Sequence, residues 1–287
     1  MPAVSLWILV AGFLFTLTSM SVKMCAGYFS PFEILFWRSL FGVVCLFFVM
    51  VHKGIAFPTK YPLSHLKRSL AGVTCFSLEI LALSRLPLSV EQSVSYLSPL
   101  IFCFFFIVSS KRAGNRIDWP VIGAVIVGFI GVLMIVRPSS NTFDLIGILL
   151  ALSAAFAGAC VSWFLRDLGR QGEPKERAVF YFMLAGLLMS LIGLSLDPNP
   201  IHLPQGKWIA PLIGVMTTAL IAQMCWTYAW EKGNSLLNAV FQFAGIFFGV
   251  LVGMIAFKEQ PDLPTIAGAV TIFLAGLFSS LYFKRKN

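Results

Sequence analysis

The sequence predicts an all-α membrane protein whose ten transmembrane helices form two five-helix repeats of inverted topology. Three observations predict it: a charge-poor apolar composition, ten apolar runs separated by short polar gaps, and a similarity between the two halves of the chain. Of the 287 residues, 58% are hydrophobic and 11% charged, whereas about a quarter of an ordinary soluble domain is charged. A soluble fold of this composition would expose apolar surface on a scale that aggregates, and disorder requires low hydrophobicity. A span takes about 20 apolar residues, so the chain has room for about ten. The longest polar gaps, near 52–66, 166–177 and 197–207, are too short to hold a soluble domain.

The spans are read at 4–22, 31–51, 67–86, 89–110, 118–136, 144–165, 178–196, 208–230, 235–257 and 263–283. The first is an unbroken apolar run, Val4 to Val22, with no basic segment ahead of it; it is too long for a signal-peptide core and is expected to be retained. Gly12, Thr16, Ser19 and Lys23 lie on one of its faces, which suits a cavity wall and a packing surface equally. The second span carries Trp37-Arg38 and the third carries Glu79. A tight turn, Arg85–Leu88, leads to the fourth, which opens Ser89-Val-Glu91-Gln92. Ser89 and Gln92 fit a capping box. Tyr96 lies one turn below Gln92, and Pro99 frees the carbonyl of Ser95, which then needs a partner or a wet cavity. The fifth span has Gly123-Ala-Val and then Gly131. The sixth carries a small-residue face, Gly147, Ala151, Ala154, Gly158 and Ser162, with Trp163 beside it as an interfacial residue or a stacking group. The eighth presents Gln223, Trp226 and Trp230 at helical spacing. In the ninth, Asn238 and Gln242 precede Gly245, Gly249 and Gly253, a doubled GxxxG read as a packing face. The tenth has Gly268-Ala-Val, then Gly276, and ends in Lys284-Arg285-Lys286.

Charge orients the chain. The net charge of +9 does not require nucleic acid, because excess Lys and Arg of membrane proteins collect in cytoplasmic loops. With the N-terminus inside, fifteen Lys and Arg fall on the inner segments and five on the outer, so both termini are expected in the cytoplasm. The six cysteines form no CxxC pair and read as small apolar fillers. His52, His65 and His202 fall in polar gaps, which argues against an intramembrane metal or histidine relay. No phosphate loop, HExxH or GxSxG occurs, so no catalytic residue, metal or cofactor is expected. Arg38 and Glu79 are the ionisable residues placed well inside the membrane, each roughly 10 Å from the outer end of its span. Because a lone charge there is costly, they are expected to lie within ion-pair or water-bridged reach of each other and to face a central cavity.

The halves correspond. Gly123-Ala-Val with Gly131 recurs as Gly268-Ala-Val with Gly276, and Ala82–Ser109 parallels Ala229–Ala256. The units are 1–137 and 142–287. Five is odd, so the second unit enters from the opposite side, as in many secondary transporters. Leu83-Ser-Arg-Leu-Pro-Leu followed by Tyr96-Leu-Ser-Pro99-Leu, Phe257-Lys-Glu259 followed by Gly268-Ala, and Trp37-Arg38 resemble the drug/metabolite transporter superfamily, in its ten-helix EamA-type form. Ala113-Gly114 stands where that family often carries Glu. The resemblance leans toward the YddG-like amino-acid exporter branch. It implies a secondary transporter, not an enzyme, that exports amino acids or related small metabolites across the bacterial inner membrane by alternating access. The alternative is a multi-pass membrane enzyme or a scaffold without transport. The expected partners are a small molecule such as an amino acid and the lipid bilayer, without nucleic acid; a homodimer is allowed but not required. The candidate substrate contacts are Arg38, Glu79, Gln92, Tyr96, Ser19, Thr16, Trp163, Gln223, Asn238 and Gln242. They would line a midplane cavity between spans one to four and six to nine, with spans five and ten as peripheral support.

Overall fold

The computed structural model describes the chain apart from residues 1, 26, 84, 87, 115, 138–143, 197–200, 258–260 and 287, and apart from the side chains of 2, 80, 83, 88, 89, 92, 93, 253, 256, 257 and 286. The α-helices are α1 (Pro2–Ser5), α2 (Trp7–Cys25), α3 (Pro31–His52), α4 (Pro62–Leu83), α5 (Leu88–Ser95), α6 (Ser98–Arg112), α7 (Trp119–Val136), α8 (Leu145–Arg170), α9 (Lys175–Leu196), α10 (Ile209–Lys232), α11 (Ser235–Phe241), α12 (Ala244–Phe257) and α13 (Leu263–Lys286). Eight stretches of the described residues are long and apolar enough to cross a bilayer. The other two passes are α4, whose first turns carry Ser, His, Lys and Arg, and the interrupted pair α5–α6.

Local chemistry sets the helix starts. Ser30 caps α3 in a reciprocal box with Glu33, and Pro31 occupies the first turn, where its missing N–H is not needed. Asp144 accepts from the amides of Ile146 and Gly147 to open α8, and Asn234 does the same for Leu236 and Leu237 to open α11. Several helices run further than the apolar runs suggest. α4 starts at Pro62 and α9 at Lys175, while α8 continues to Arg170. An apolar-run reading stops at the first charge, although Lys, Arg and Glu extend a helix readily.

Ten passes place both chain ends on one face of the bundle, here called the terminal face. Ser5 hydrogen-bonds across the α10–α11 turn there, to the amide of Asn234. The turns after α3 and α8 meet on the same face: Lys53 pairs with Glu176 at 2.7 Å, and Glu173 receives Thr59, His65 and Arg177 within 2.9 Å. On the opposite face Tyr28 stacks on Trp208, Arg85 pairs with Asp144, and Arg137 pairs with Asp262. His65, placed in a polar gap by sequence, is in fact a buried residue of α4.

Helix packing joins the two halves at every major seam. α2 packs on α10, α8 on α4, α3 on α9, and α7 on α13. Counted as passes, one pairs with eight and six with three, two with seven, and five with ten. Exchanging the halves leaves this set unchanged, as a two-fold relation between inverted repeats requires. At the α7–α13 seam, a Cβ on Gly131 would lie 2.8 Å from the Gly268 carbonyl, and one on Gly268 would lie 2.6 Å from the Gly131 carbonyl. The repeated glycines thus allow two backbones to touch.

Candidate functional site

The fourth and ninth passes are both interrupted, at Tyr96-Leu97 and at Gln242-Phe243. Pro99 lies just past the first break, where it denies the Ser95 carbonyl its helical donor. The second has no proline. There Phe243, fully buried, packs where Gly128 of α7 leaves room. The two breaks adjoin: the rings of Tyr96 and Phe243 are 6.1 Å apart, and a Cβ on Gly245 would lie 3.3 Å from the Tyr96 hydroxyl. Gly12 of α2 closes against the Gly245 backbone, and the Thr16 hydroxyl donates to the carbonyls of Gly12 and Gly245, at 3.0 and 3.3 Å.

Beside this crossing lies a cavity of about 860 Å³. Its wall takes residues from passes one to four and six to nine, plus Ile135 and Val136 at the end of α7; α13 contributes none. The lining reaches helix ends on the opposite face at Glu91 and Val136, and stops toward the terminal face at Arg68, Phe182 and Trp226. Beyond them Trp230, Phe102, Leu165 and Leu168 form a packed core, and α8 meets α10 so closely that a Cβ on Gly169 would overlap the Glu231 backbone. The cavity therefore extends toward the opposite face and is closed at the terminal face.

Of the residues singled out by sequence, Thr16, Ser19, Arg38, Glu79, Tyr96, Gln223 and Gln242 line this cavity. The side chain of Gln92, like that of Ser89, lies outside the described residues. Two candidates lie apart from this lining. Trp163 packs on Phe102 and Phe105 of α6, with the Arg166 guanidinium 4.7 Å from its ring, and is not part of the wall. Asn238 is wholly buried at the end of α10, where its amide donates to the Ala229 carbonyl at 2.6 Å. Both were chosen for chemistry that polar or aromatic residues also supply to packing.

The expected Arg38–Glu79 ion pair is absent among the described residues. Sequence neighbours in an antiparallel bundle often touch, but here α9 packs against both α3 and α4, while α3 and α4 share no comparable seam. Equal depth therefore does not by itself set the two side chains in direct ion-pair contact, although both border the same cavity. Glu79 instead accepts the Cys75 thiol at 3.4 Å. Two charged wall residues were not anticipated. Arg68, counted among the loop cations, is buried in α4 with its guanidinium 4.0 Å from the Phe182 ring. Glu91, passed over in favour of the capping residues around it, is buried and accepts the Ser95 hydroxyl at 2.6 Å. The wall thus holds two cations and two carboxylates. The doubled GxxxG of the ninth pass also has a second use: Gly245 packs on α2 while Gly245 and Gly249 border the cavity.

A helical bundle with paired broken helices and a charged cavity between inverted repeats defines a multi-pass membrane transporter. The EamA-like transporter family model matches residues 3–137 and again 145–281, and the chain belongs to that family. It is 28% identical to a pseudopaline exporter of Pseudomonas aeruginosa over 93% of this chain and 92% of the relative. It is 24% identical to an S-adenosylmethionine uptake transporter of Rickettsia felis over 89% and 84%. A protein crystal structure shares the fold, with a TM-score of 0.83 across 99% of each chain at 19% identity.

Proposed function

We propose that this chain is a secondary transporter of the bacterial inner membrane that moves small amphoteric metabolites, amino acids or related compounds, outward by alternating access. The observation that carries the reading is the cavity itself: it lies where the two broken helices cross and is walled by both halves, with charges of both signs. Discontinuous helices at corresponding positions of inverted repeats are the usual setting of a transporter's binding site. The units 1–137 and 142–287 are two copies of one five-helix element. Export accords with the pseudopaline exporter, although the S-adenosylmethionine relative is named for uptake. The excess of Lys and Arg on the terminal face puts both chain ends in the cytoplasm, so the cavity described above faces outward.

The test is counterflow. Liposomes containing only the purified protein are loaded with an unlabelled candidate amino acid and diluted into a trace of labelled compound. A carrier shows transient accumulation of label without any added energy source. A protein that binds candidate substrates but never shows counterflow is not a carrier, and the scaffold alternative then stands.

A further inference from the structure

Two guanidinium groups in the cavity wall carry nitrogens without a hydrogen-bond partner among the described residues, although that of Arg68 also lies 4.0 Å from the Phe182 ring. Arg68 is 1% exposed, and its Nε and Nη1 are shut from solvent without a hydrogen-bond partner; the Nε of Arg38 is in the same condition. Neither forms an ion pair among the described residues. A guanidinium cannot shed its charge and presents a fork suited to carboxylate or phosphate oxygens, so two arginines of the cavity wall without an ion pair point to an anionic ligand. The two arginines sit at different depths. Arg38 is two turns from the opposite-face end of α3, and Arg68 is under two turns from the terminal end of α4. At 1.5 Å per residue their Cα atoms lie on the order of 10 Å apart along the bundle. The two arginines therefore stand at two levels of the cavity wall.

The same wall holds Glu79 and Glu91. Each receives only a neutral donor on its own pass, the Cys75 thiol or the Ser95 hydroxyl, and neither has a cationic partner among the described residues. A cavity of about 860 Å³ also suits a ligand larger than a single amino acid.

We infer that the substrate is an amino compound carrying two separated anionic groups, held by Arg38 and Arg68, with its ammonium held by Glu79 and Glu91. This rests on the reading of the cavity as the substrate site. The anion can be a carboxylate or a phosphate-type group, since a guanidinium fork accepts either.

The test is direct binding to the full chain purified in detergent, measured by calorimetry with four probes. Diaminopimelate carries two carboxylates and amines, aminophosphonopentanoate a carboxylate, a phosphonate and an amine, leucine one carboxylate and one amine, and pimelate two carboxylates without an amine. At least one of the first two is expected to bind at least tenfold more tightly than leucine and pimelate, and whichever is tighter identifies the anion. Arg38→Gln and Arg68→Gln should each bring the tight probe to the level of leucine, while Arg68→Lys keeps the charge but loses the fork and recovers part of the affinity. If leucine or pimelate binds wild-type protein as tightly as the dianionic amines, or if none of the latter binds, the assignment is overturned without recourse to any variant. It is also overturned if either folded Gln variant binds as wild type does. Counterflow separates the two readings. Counterflow of leucine without binding of dianions leaves the carrier standing and removes this assignment; binding of dianions without counterflow of the bound probe does the reverse.

Discussion

Trp163 and Trp226 show how residues of one type divide between scaffold and site. Trp226 borders the cavity, whereas Trp163 is covered by α6 and Arg166. Trp226→Ala is expected to slow counterflow about tenfold, the equivalent of roughly 1.4 kcal/mol, with Trp163→Phe leaving it within about twofold because the ring packing is largely kept. Initial counterflow rates on equal amounts of reconstituted protein check both. A second prediction concerns Glu173, in the turn after α8. Burial pushes its carboxyl upward, but hydrogen bonds from His65, Thr59 and Arg177 outweigh this and hold it below the ordinary 4.5. A depressed carboxyl contributes stability that is complete above its unfolded value and is lost as pH falls through the folded one. Thermal melting in detergent should therefore show wild-type protein losing stability on acidification below about pH 4.5. Glu173→Gln should be less stable at neutral pH and flatter across that window; an unchanged acid slope would remove Glu173 as its source. At this scale the sequence was partly legible. Arg38 and Glu79 stand out because each interrupts an apolar run. Arg68 does not, since it follows Lys67 at what looks like a loop edge, and only the extra turns of α4 carry it inside.

At the scale of elements, eight of the ten passes follow from length and hydropathy, because the bilayer imposes one length on every span, whereas α4 and the broken α5–α6 pass are marked by shorter apolar runs. Which passes touch does not follow, since that depends on side-chain shapes along each seam. The missing Arg38–Glu79 pair is a consequence: depth was readable, while the position of α9 between α3 and α4 was not. The broken helices carry a related lesson. Pro99 announces the first break in the sequence, but the second arises at Gln242-Phe243 with no proline nearby. If packing alone holds one break open, packing at the shared crossing also holds the other. Pro99→Ala should then leave counterflow within about threefold of wild type, even though it returns a backbone donor to the fourth pass. Gly245→Leu should abolish most of the activity, because its first carbon already meets the Tyr96 hydroxyl at 3.3 Å and the rest of the side chain must enter the cavity or part α2 from α12. Severe loss in Pro99→Ala with normal Gly245→Leu would reverse the assignment and make the proline the determinant.

For the whole molecule, the packing decides which parts are able to move. The two halves are not separate bodies, since α2 belongs with α10 and α12 while α4 belongs with α8, α5 and α6. Each group mixes first-half and second-half helices, and the two-fold relation exchanges the groups. The alternating access proposed above would then take the form of these two groups swinging about the cavity, rather than residues 1–137 rocking against 142–287. With the cavity closed at the terminal face the groups must meet there, and they do so where α8 crosses α10. Gly169 is seated there on the Glu231 backbone, and a Cβ at this position would overlap the Glu231 Cα and carbonyl. Flexible side-chain ends do not absorb such an overlap, so Gly169→Val holds α8 and α10 apart and disfavours closure of that face. The consequence appears on the far side of the molecule. Ser19 is exposed and lines the cavity, so a Ser19→Cys reporter, with the six native cysteines replaced, should react with an impermeant thiol reagent added outside. Adding Gly169→Val should shift the population toward the state open at the terminal face, lowering that external reaction by about tenfold if the equilibrium moves by roughly 1.4 kcal/mol, and counterflow should fall with it. Unchanged external labelling together with full counterflow would mean that α8 and α10 stay in contact throughout the cycle, and the two-group motion would have to be abandoned.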